Sequence, residues 1–337
     1  DRRHARQNIS LSLCHMSIET LVCPLPEHTL PRTAVVEARS LPRHGDDPRP
    51  AWPRSILVAS DASPASNAAI TVARLFAERS GASVEMTAVY SPRIPFPACP
   101  ERRGFDQCEA PERGEAAALL RAVRKQRRSI PEARAWPLRL EVGDPGSVIV
   151  RLASAAATDL VVLGLGELNP DERRYAGHTA WCVARYLRVP VYAAAPDCEV
   201  PTRCVVALPD GQVHAPTLRA AVACLPAGAK VWIALPSPSA SGQSGDEFKS
   251  ARELADSACG PELANRLDAL ELARIDVVGD MLAGVLGLVR DVNAQLVAVP
   301  NRGDPGPMRS FLANLAEPLL LAVRCSVLVV PDESVAR

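Results

Sequence analysis

The sequence has no excess of charge of either sign. Its 38 lysines and arginines equal its 38 aspartates and glutamates, so the formal net charge is zero. A chain without a net field has no general attraction for nucleic acid or for anionic lipid, although local patches can still act. We therefore expect nucleic acid to be an unlikely partner and a membrane to be no partner at all.

Long hydrophobic runs are missing as well. The longest wholly apolar stretch, residues 281–289, is far shorter than the roughly 20 residues that span a bilayer, and Asp280 and Arg290 flank it. Near the N-terminus, no basic segment is followed by a continuous apolar segment, so the pattern of a secretory signal is lacking. We expect a cytoplasmic protein without a transmembrane helix.

The ten cysteines match no zinc or thioredoxin signature. Four of them lie in apolar segments, where buried free thiols are the common finding: Cys182, Cys204, Cys224 and Cys325. Residues 1–52 lack hydrophobic periodicity and are rich in proline and arginine, so they are predicted to be a disordered N-terminal tail. Four of the six histidines fall in this tail, too widely spaced for a local metal site.

What the sequence does contain is a repeat of two units. Residues 141–164 return as residues 277–300 at an offset of 136, and residues 54–61 return as residues 203–210 at an offset of 149. Matched ends with unequal insertions between them are typical of two copies of one α/β domain. The predicted domains are therefore residues 53–197 and residues 203–331.

Each copy alternates apolar strands with helices. In the first copy, Ser63 is predicted to cap the first helix, with Pro64 at its first position and Gly81 at its end. Parallel strands separated by helices need right-handed crossovers, so each copy is predicted to be an open five-stranded parallel sheet with helices on both faces. Residues 92–113 and 236–246 are predicted to be loop insertions.

Ligands of such sheets bind beyond the carboxyl ends of the strands, at the topological switch point. In the first copy this position belongs to loops 60–63 and 164–177, and in the second to loops 209–211 and 300–313. Loops that open onto a helix present backbone N–H groups to phosphate. The sequence therefore places any nucleotide site at these loops.

The motifs ILVASDASPASNAAI, GDPGSVI, TDLVVLGLG and RVPVYAAAP occur in this order in the first copy, and VVALPDG, VVGD, AQLVAVPNRG and RCSVLVVP in the second. Together they resemble the universal stress protein family, in its tandem two-domain form. The resemblance implies two Rossmann-like sheets of the adenine nucleotide alpha hydrolase type. It also implies a non-enzymatic role in stress response.

In nucleotide-binding members of that family, the loop after the fourth strand reads Gly, two residues, Gly, nine residues, then Gly followed by Ser or Thr. In the first copy, Glu167 replaces the middle glycine and His178 replaces the hydroxyl residue. Glu167, Asp171 and Glu172 also add carboxylates where a triphosphate should lie. By resemblance, the first-copy residues that would hold a nucleotide are Gly164, Gly166, Gly177, His178 and Thr179.

The second copy departs further from the pattern. Gly303 keeps the middle position, whereas Pro300, Ala313 and Asn314 replace the other three. Proline lacks the N–H, and alanine adds a methyl group where a phosphate must approach closely. Nucleotide binding is therefore predicted to be degenerate in both copies, with no cofactor expected and ATP as the alternative at the first-copy loop.

Two aspartates leave alternatives open. Asp61 and Asp210 share a position that, by resemblance, contacts the ribose, yet an aspartate after a buried strand is also a routine turn residue. His178 has no nucleophile or carboxylate that the sequence places beside it, so we expect no catalysis. A slow ATPase at the first-copy loop is the alternative.

Partners are harder to predict. The run 121–128 holds four arginines and a lysine without an interleaved aromatic residue, which favours a solvated basic face over a nucleic-acid site. Strands 191–195 and 327–330 are predicted to pair with each other, which would make a pseudo-dimer within one chain. An unknown protein partner is expected, and further homodimerisation is open but not required.

Overall fold

The computed structural model describes residues 52–92, 110–166, 178–196, 200–237, 250–301 and 315–332. The predicted tail lies outside this part except for Trp52. All described residues fall in one compact unit, Pro48–Arg337. We call residues 52–196 the first half and residues 200–332 the second half.

The first half alternates strands and helices as predicted. Its strands are β1 Ser55–Ala59, β2 Ser83–Tyr90, β3 Leu138–Val142, β4 Leu160–Gly164 and β5 Val191–Ala194. Its helices are α1 Pro64–Ser80, α2 Ala110–Ser129, α3 Pro145–Ala155 and α4 His178–Tyr186, with a 3₁₀ turn at Glu132–Ala135. All of these strands and helices except α2 begin and end within two residues of the sequence prediction, because buried strands and helix caps are local signals.

The second half repeats this order. Its strands are β6 Arg203–Ala207, β7 Lys230–Pro236, β8 Glu271–Val277, β9 Leu296–Asn301 and β10 Ser326–Pro331. Its helices are α5 Ala215–Cys224, α6 Ala251–Cys259, α7 Ala264–Asp268, α8 Met281–Asp291 and α9 Ala316–Ala322, with a 3₁₀ turn at Pro261–Leu263.

The ten strands form one sheet in the order β3-β2-β1-β4-β5-β10-β9-β6-β7-β8. Within each half, neighbouring strands are parallel, as expected for a doubly wound α/β fold. The two predicted five-stranded sheets are joined, because β5 and β10 pair antiparallel with Leu328 opposite Tyr192. Each of these two strands thereby pairs with the apolar edge that the other would otherwise expose.

The predicted caps of α1 are present. The Ser63 side chain accepts a hydrogen bond from the Ser66 backbone N–H, and Gly81 ends the helix in the left-handed conformation with φ 74°. Helix α2 corrects one prediction, since it begins at Ala110, so residues 110–113 belong to a helix rather than to the predicted loop insertion. Pro236 likewise ends β7 rather than opening a loop.

Two apolar cores cover the two faces of the sheet. Side chains alternate between the faces along each strand, so Ile56 and Leu57 belong to different cores. Each core contains residues of both halves: Tyr192 and Leu328 on one face, Val191 and Val327 on the other. The hydrophobic core is therefore continuous across the β5–β10 junction.

Polar contacts also cross the junction. Arg79, in the last turn of α1, donates to the carbonyl oxygens of Cys224 (2.8 Å) and Leu225 (2.6 Å) at the end of α5. A cation at the negative end of a helix is stabilising. The Asn301 amide donates to the Ala184 carbonyl oxygen at 2.7 Å. Helix ends of one half are thus held by side chains of the other.

Of the four cysteines expected to be buried, Cys204 and Cys224 are buried free thiols, whereas Cys182 and Cys325 are only half-buried. Burial raises the pKa of Cys224 to about 12. Its thiol is therefore neutral and unreactive at neutral pH. In the part of the chain that the structure describes, no helix has both the length and the apolar character needed to cross a bilayer.

Candidate functional site

A cleft of about 690 Å³ opens at the carboxyl ends of β1, β2 and β4 in the first half. Strands β1 and β4 are neighbours, and the helices that follow them, α1 and α4, pack on opposite faces of the sheet, so the cleft lies at the switch point, as predicted. Its lining residues are Ala59, Ser60, Asp61, Ser63, Pro64, Ala65, Ser66, Thr87, Val89, Pro145, Ile149, Leu163, Gly164, Gly166 and Thr179.

The β1–α1 turn forms one wall of the cleft. Asp61 Oδ1 accepts a hydrogen bond from the Ser63 backbone N–H at 2.9 Å, and Ser60 Oγ accepts one from the Ala62 N–H at 3.2 Å. Asp61 therefore has the turn role that the sequence left open, while its exposed side chain still lines the cleft.

Ala62 occupies a left-handed backbone conformation in this turn, with φ 65°. The corresponding residue of the second half is Gly211, with φ 70°. A residue with a Cβ pays about 1–2 kcal/mol for this conformation, whereas glycine adopts it freely. The first half thus stores strain at the mouth of its cleft.

We expect Ala62→Gly to raise the free energy of unfolding by about 0.5–1 kcal/mol, because relief of strain exceeds the extra chain entropy of glycine. Urea unfolding measures the difference. The control is Ala118→Gly on the exposed side of α2, which should lose about 1 kcal/mol. A loss at both positions would contradict the left-handed turn.

Gln126 is a site residue that the sequence analysis missed. It extends from α2 and is only 8% exposed, and its Oε1 accepts from Ser60 Oγ at 2.5 Å. Its Nε2 donates to the Ser63 carbonyl oxygen and to Ser66 Oγ, both at 3.0 Å. Gln126 therefore holds the β1–α1 turn from behind. A glutamine within a basic run gives no local signal of such a contact.

Gly164 is required by packing. A Cβ atom at this position would lie 2.5 Å from the carbonyl carbon and 2.6 Å from the carbonyl oxygen of Ala65. The absence of a side chain lets the end of β4 contact the first turn of α1, whatever ligand the cleft holds.

Of the predicted first-copy residues, the fold brings together Asp61, Gly164, Gly166 and Thr179. Gly177 lies outside the described residues. His178 begins α4, and the structure does not describe its side chain.

Asp61 is the single ionisable side chain among the residues that the structure places on the cleft wall. The other polar lining groups are the hydroxyls of serines and threonines, together with backbone groups. The hydroxyl of Thr87 is buried and has no hydrogen-bond partner within the described ranges. Across the same ranges, no three His, Cys, Asp or Glu side chains cluster closely enough to hold a metal ion.

The second half builds the corresponding position differently. His214 is the N-cap of α5, where its Nδ1 accepts from the Thr217 backbone N–H at 3.3 Å. The ring is 7% exposed, and its Nε2 lies 3.8 Å from Asp332 Oδ1. An imidazole thus stands at the helix start where the first half has the small Ser63, and the sequence analysis did not identify it.

The structure describes only some of the predicted second-half residues. Asp210 follows β6 with Gly211 in the next position, and Pro300 lies within β9 opposite Val330. Gly303 and Asn314 lie outside the described residues.

Residues 53–194 match the model of the universal stress protein family. A universal stress protein from Archaeoglobus fulgidus DSM 4304 has a similar structure, with 15% identity and a TM-score of 0.56, covering 82% of this chain and 96% of that chain. A protein from Pseudomonas aeruginosa UCBPP-PA14 with the same family designation shows 15% identity and a TM-score of 0.51, covering 84% and 94%. At this identity the likeness shows the fold, and it extends over both halves.

A universal stress protein from Lactobacillus plantarum is 27% identical over 41% of this chain and 94% of that chain, with a TM-score of 0.32. No curated protein matches the sequence.

Proposed function

Because residues 53–194 carry a universal stress protein domain, we propose that the chain is a tandem, non-enzymatic stress-response protein. In this proposal residues 203–331 are a second domain of the same kind, and the first-half cleft binds a small ligand whose presence is signalled to a protein partner. The observation that carries the proposal is the cleft itself, built at the switch point and lined, among the described residues, by hydroxyl and glycine residues with one ionisable side chain.

The size and lining of the cleft support a ligand of nucleoside dimensions. Its volume of about 690 Å³ lies within the range of roughly 300–1,000 Å³ that is usual for small-molecule sites. Val89, Ile149 and Leu163 offer apolar contact to a flat ring.

In this proposal the cleft does not turn over a nucleotide. Hydrolysis of a phosphoanhydride needs an activated water, which a positioned base or a bound metal ion supplies. Asp61 stands alone on the described wall, and one of its oxygens already accepts from the Ser63 N–H. Glu167, Asp171 and Glu172 would also repel the phosphates of a triphosphate.

We expect no ATP binding tighter than about 100 μM, which corresponds to less than about 6 kcal/mol, and no phosphate release above the buffer rate. Titration calorimetry and a phosphate-release assay measure the two quantities. Micromolar ATP affinity or steady release, abolished by Gly177→Val, would instead support the slow ATPase.

A further experiment tests whether the loop carboxylates are the cause of the weak ATP binding. Neutralising the loop carboxylates with Glu167→Gln, Asp171→Asn and Glu172→Gln should tighten ATP binding by about tenfold, because three repulsive charges are removed. The matched control makes the same three chemical changes at exposed positions outside the site, Glu132→Gln, Asp268→Asn and Glu271→Gln. An equal gain in the control would show that only the net charge of the chain matters.

A further inference from the structure

Helix α2 displays four cations on one side. Arg121, Arg124, Lys125 and Arg128 are all exposed, and their spacing places them along one helix face. They line a shallow groove of about 380 Å³. We call these four residues the basic face.

The basic face has no acidic partner among the described residues. Within the ranges that the structure describes, none of its four side chains forms a hydrogen bond or an ion pair, whereas Arg74 pairs with Glu78 and Arg252 with Asp256 on their own helices. Residues 116–131 contain no Asp or Glu at all. In a chain of zero net charge, this is a local concentration of positive charge.

The scaffold beneath the basic face is rigid. On the opposite side of α2, Ala116 and Val123 are fully buried and Gln126 is hydrogen-bonded to the β1–α1 turn. The helix backbone that carries the cations is therefore fixed, so that binding a row of anions has to order only their side chains.

The length and chemistry of the row fit phosphates of a nucleic acid. At a rise of about 1.5 Å per residue, positions 121 to 128 span roughly 10 Å, along which one strand of a duplex carries about three phosphates. The guanidinium groups of the three arginines match phosphate oxygens in geometry.

Two other classes of partner fit less well. Insertion into a lipid surface requires an exposed apolar face, but that face of α2 is buried in the core. Stable docking of an acidic protein relies on aromatic or apolar anchors, and the exposed large apolar residues within the described part are Tyr186, Val278 and Leu321, none of them on α2.

We propose that the basic face binds the phosphodiester backbone of nucleic acid without sequence selectivity. Backbone contact carries no base information, and the basic face has no amide or aromatic side chain to read or stack a base. The sequence favoured a solvated face because it shows the charges but neither the groove nor the missing partners. In the second half, Arg252 of α6 is bound by Asp256 and Asp268, so that helix offers no such face.

The test is fluorescence anisotropy of the full chain with a labelled mixed-sequence DNA duplex of about 24 base pairs, at several salt concentrations between about 50 and 200 mM. We expect dissociation constants of roughly 10⁻⁶ to 10⁻⁴ M and a slope of log K against log salt near about −3, for three contacted phosphates. A duplex of another sequence should bind within about threefold.

Replacing all four residues of the basic face with glutamine should weaken binding at least about tenfold and flatten the salt slope. The matched control replaces with glutamine three arginines and one lysine that are exposed in separate segments of the chain: Arg188, Arg290, Arg324 and Lys230. It removes the same charge and should change affinity less than about twofold.

Two half-variants keep the test decisive if the fourfold variant misfolds. One combines Arg121→Gln with Arg124→Gln, and the other combines Lys125→Gln with Arg128→Gln. Each should retain the unfolding midpoint and lose about half of the salt slope. The proposal is overturned by an equal loss in the control, by no salt-dependent binding, or by binding to phosphatidylserine vesicles or polyglutamate in place of the duplex.

Discussion

A lysine in place of Val327 is expected to destabilise both halves of the chain together, by roughly 3–5 kcal/mol. Val327 is fully buried and lies in β10 opposite Ala193 of β5. An ammonium group there would be buried without a partner or would have to lose its proton, and either outcome costs folding free energy.

The loss should reach the first half because the junction is shared. Both cores run across β5 and β10, and Ala195 N–H donates to Ser326 Oγ at 3.1 Å across the same junction. Variants that keep either Trp181 or Trp232 as their sole tryptophan report on the first and second half, respectively. Both reporters should show one transition, shifted to lower urea by the same amount.

Val278→Lys is the matched control. Val278 is 80% exposed, so a lysine there should change stability by less than about 0.5 kcal/mol. If Val327→Lys shifted the unfolding transition reported by Trp232 and left that reported by Trp181 in place, the two halves would be domains that unfold independently.

Gly164→Ala is expected to cost about 2–3 kcal/mol and to reduce ligand binding in the cleft. The added methyl group would lie 2.5 Å from the carbonyl carbon of Ala65, and backbone atoms cannot turn away as a flexible side chain can. Helix α1 must move off β4, and this movement displaces the turn that lines the cleft.

A glycine-to-alanine substitution at another position should instead raise the free energy of unfolding. Gly287 lies in α8 with nothing within 4 Å of an added Cβ, so Gly287→Ala should stabilise the protein by about 0.5–1 kcal/mol. Urea unfolding of Gly164→Ala and Gly287→Ala measures the two changes in the free energy of unfolding. Equal effects at both positions would show that Gly164 is not held against α1.

The pairing of β5 with β10 also limits assembly. Each strand uses its outer edge on the other, so two chains cannot associate through these edges while the sheet is intact. Homodimerisation, which the sequence left open, would require a different surface.

The sequence by itself determined the α/β alternation, the repeat, the caps Ser63 and Gly81 and the place of the cleft. These features depend on residues close together in the chain: strand runs of buried residues, a serine before a proline, a glycine after a helix. The loops that carry Asp61, Gly164 and Gly166 were placed for the same reason, since switch-point loops follow directly from strand order, whereas Thr179 was named by the family resemblance.

Only the tertiary structure decided how these parts meet. The joining of two sheets into one, the support of the β1–α1 turn by Gln126 and the contact of Gly164 with Ala65 each bring together residues that are tens of residues or more apart. The row of cations on α2 is visible in the sequence, but only the three-dimensional arrangement shows that no acidic side chain of the described residues pairs with it. Local preferences specify helices, strands and caps, whereas packing and pairing between distant segments depend on the shape of the whole fold.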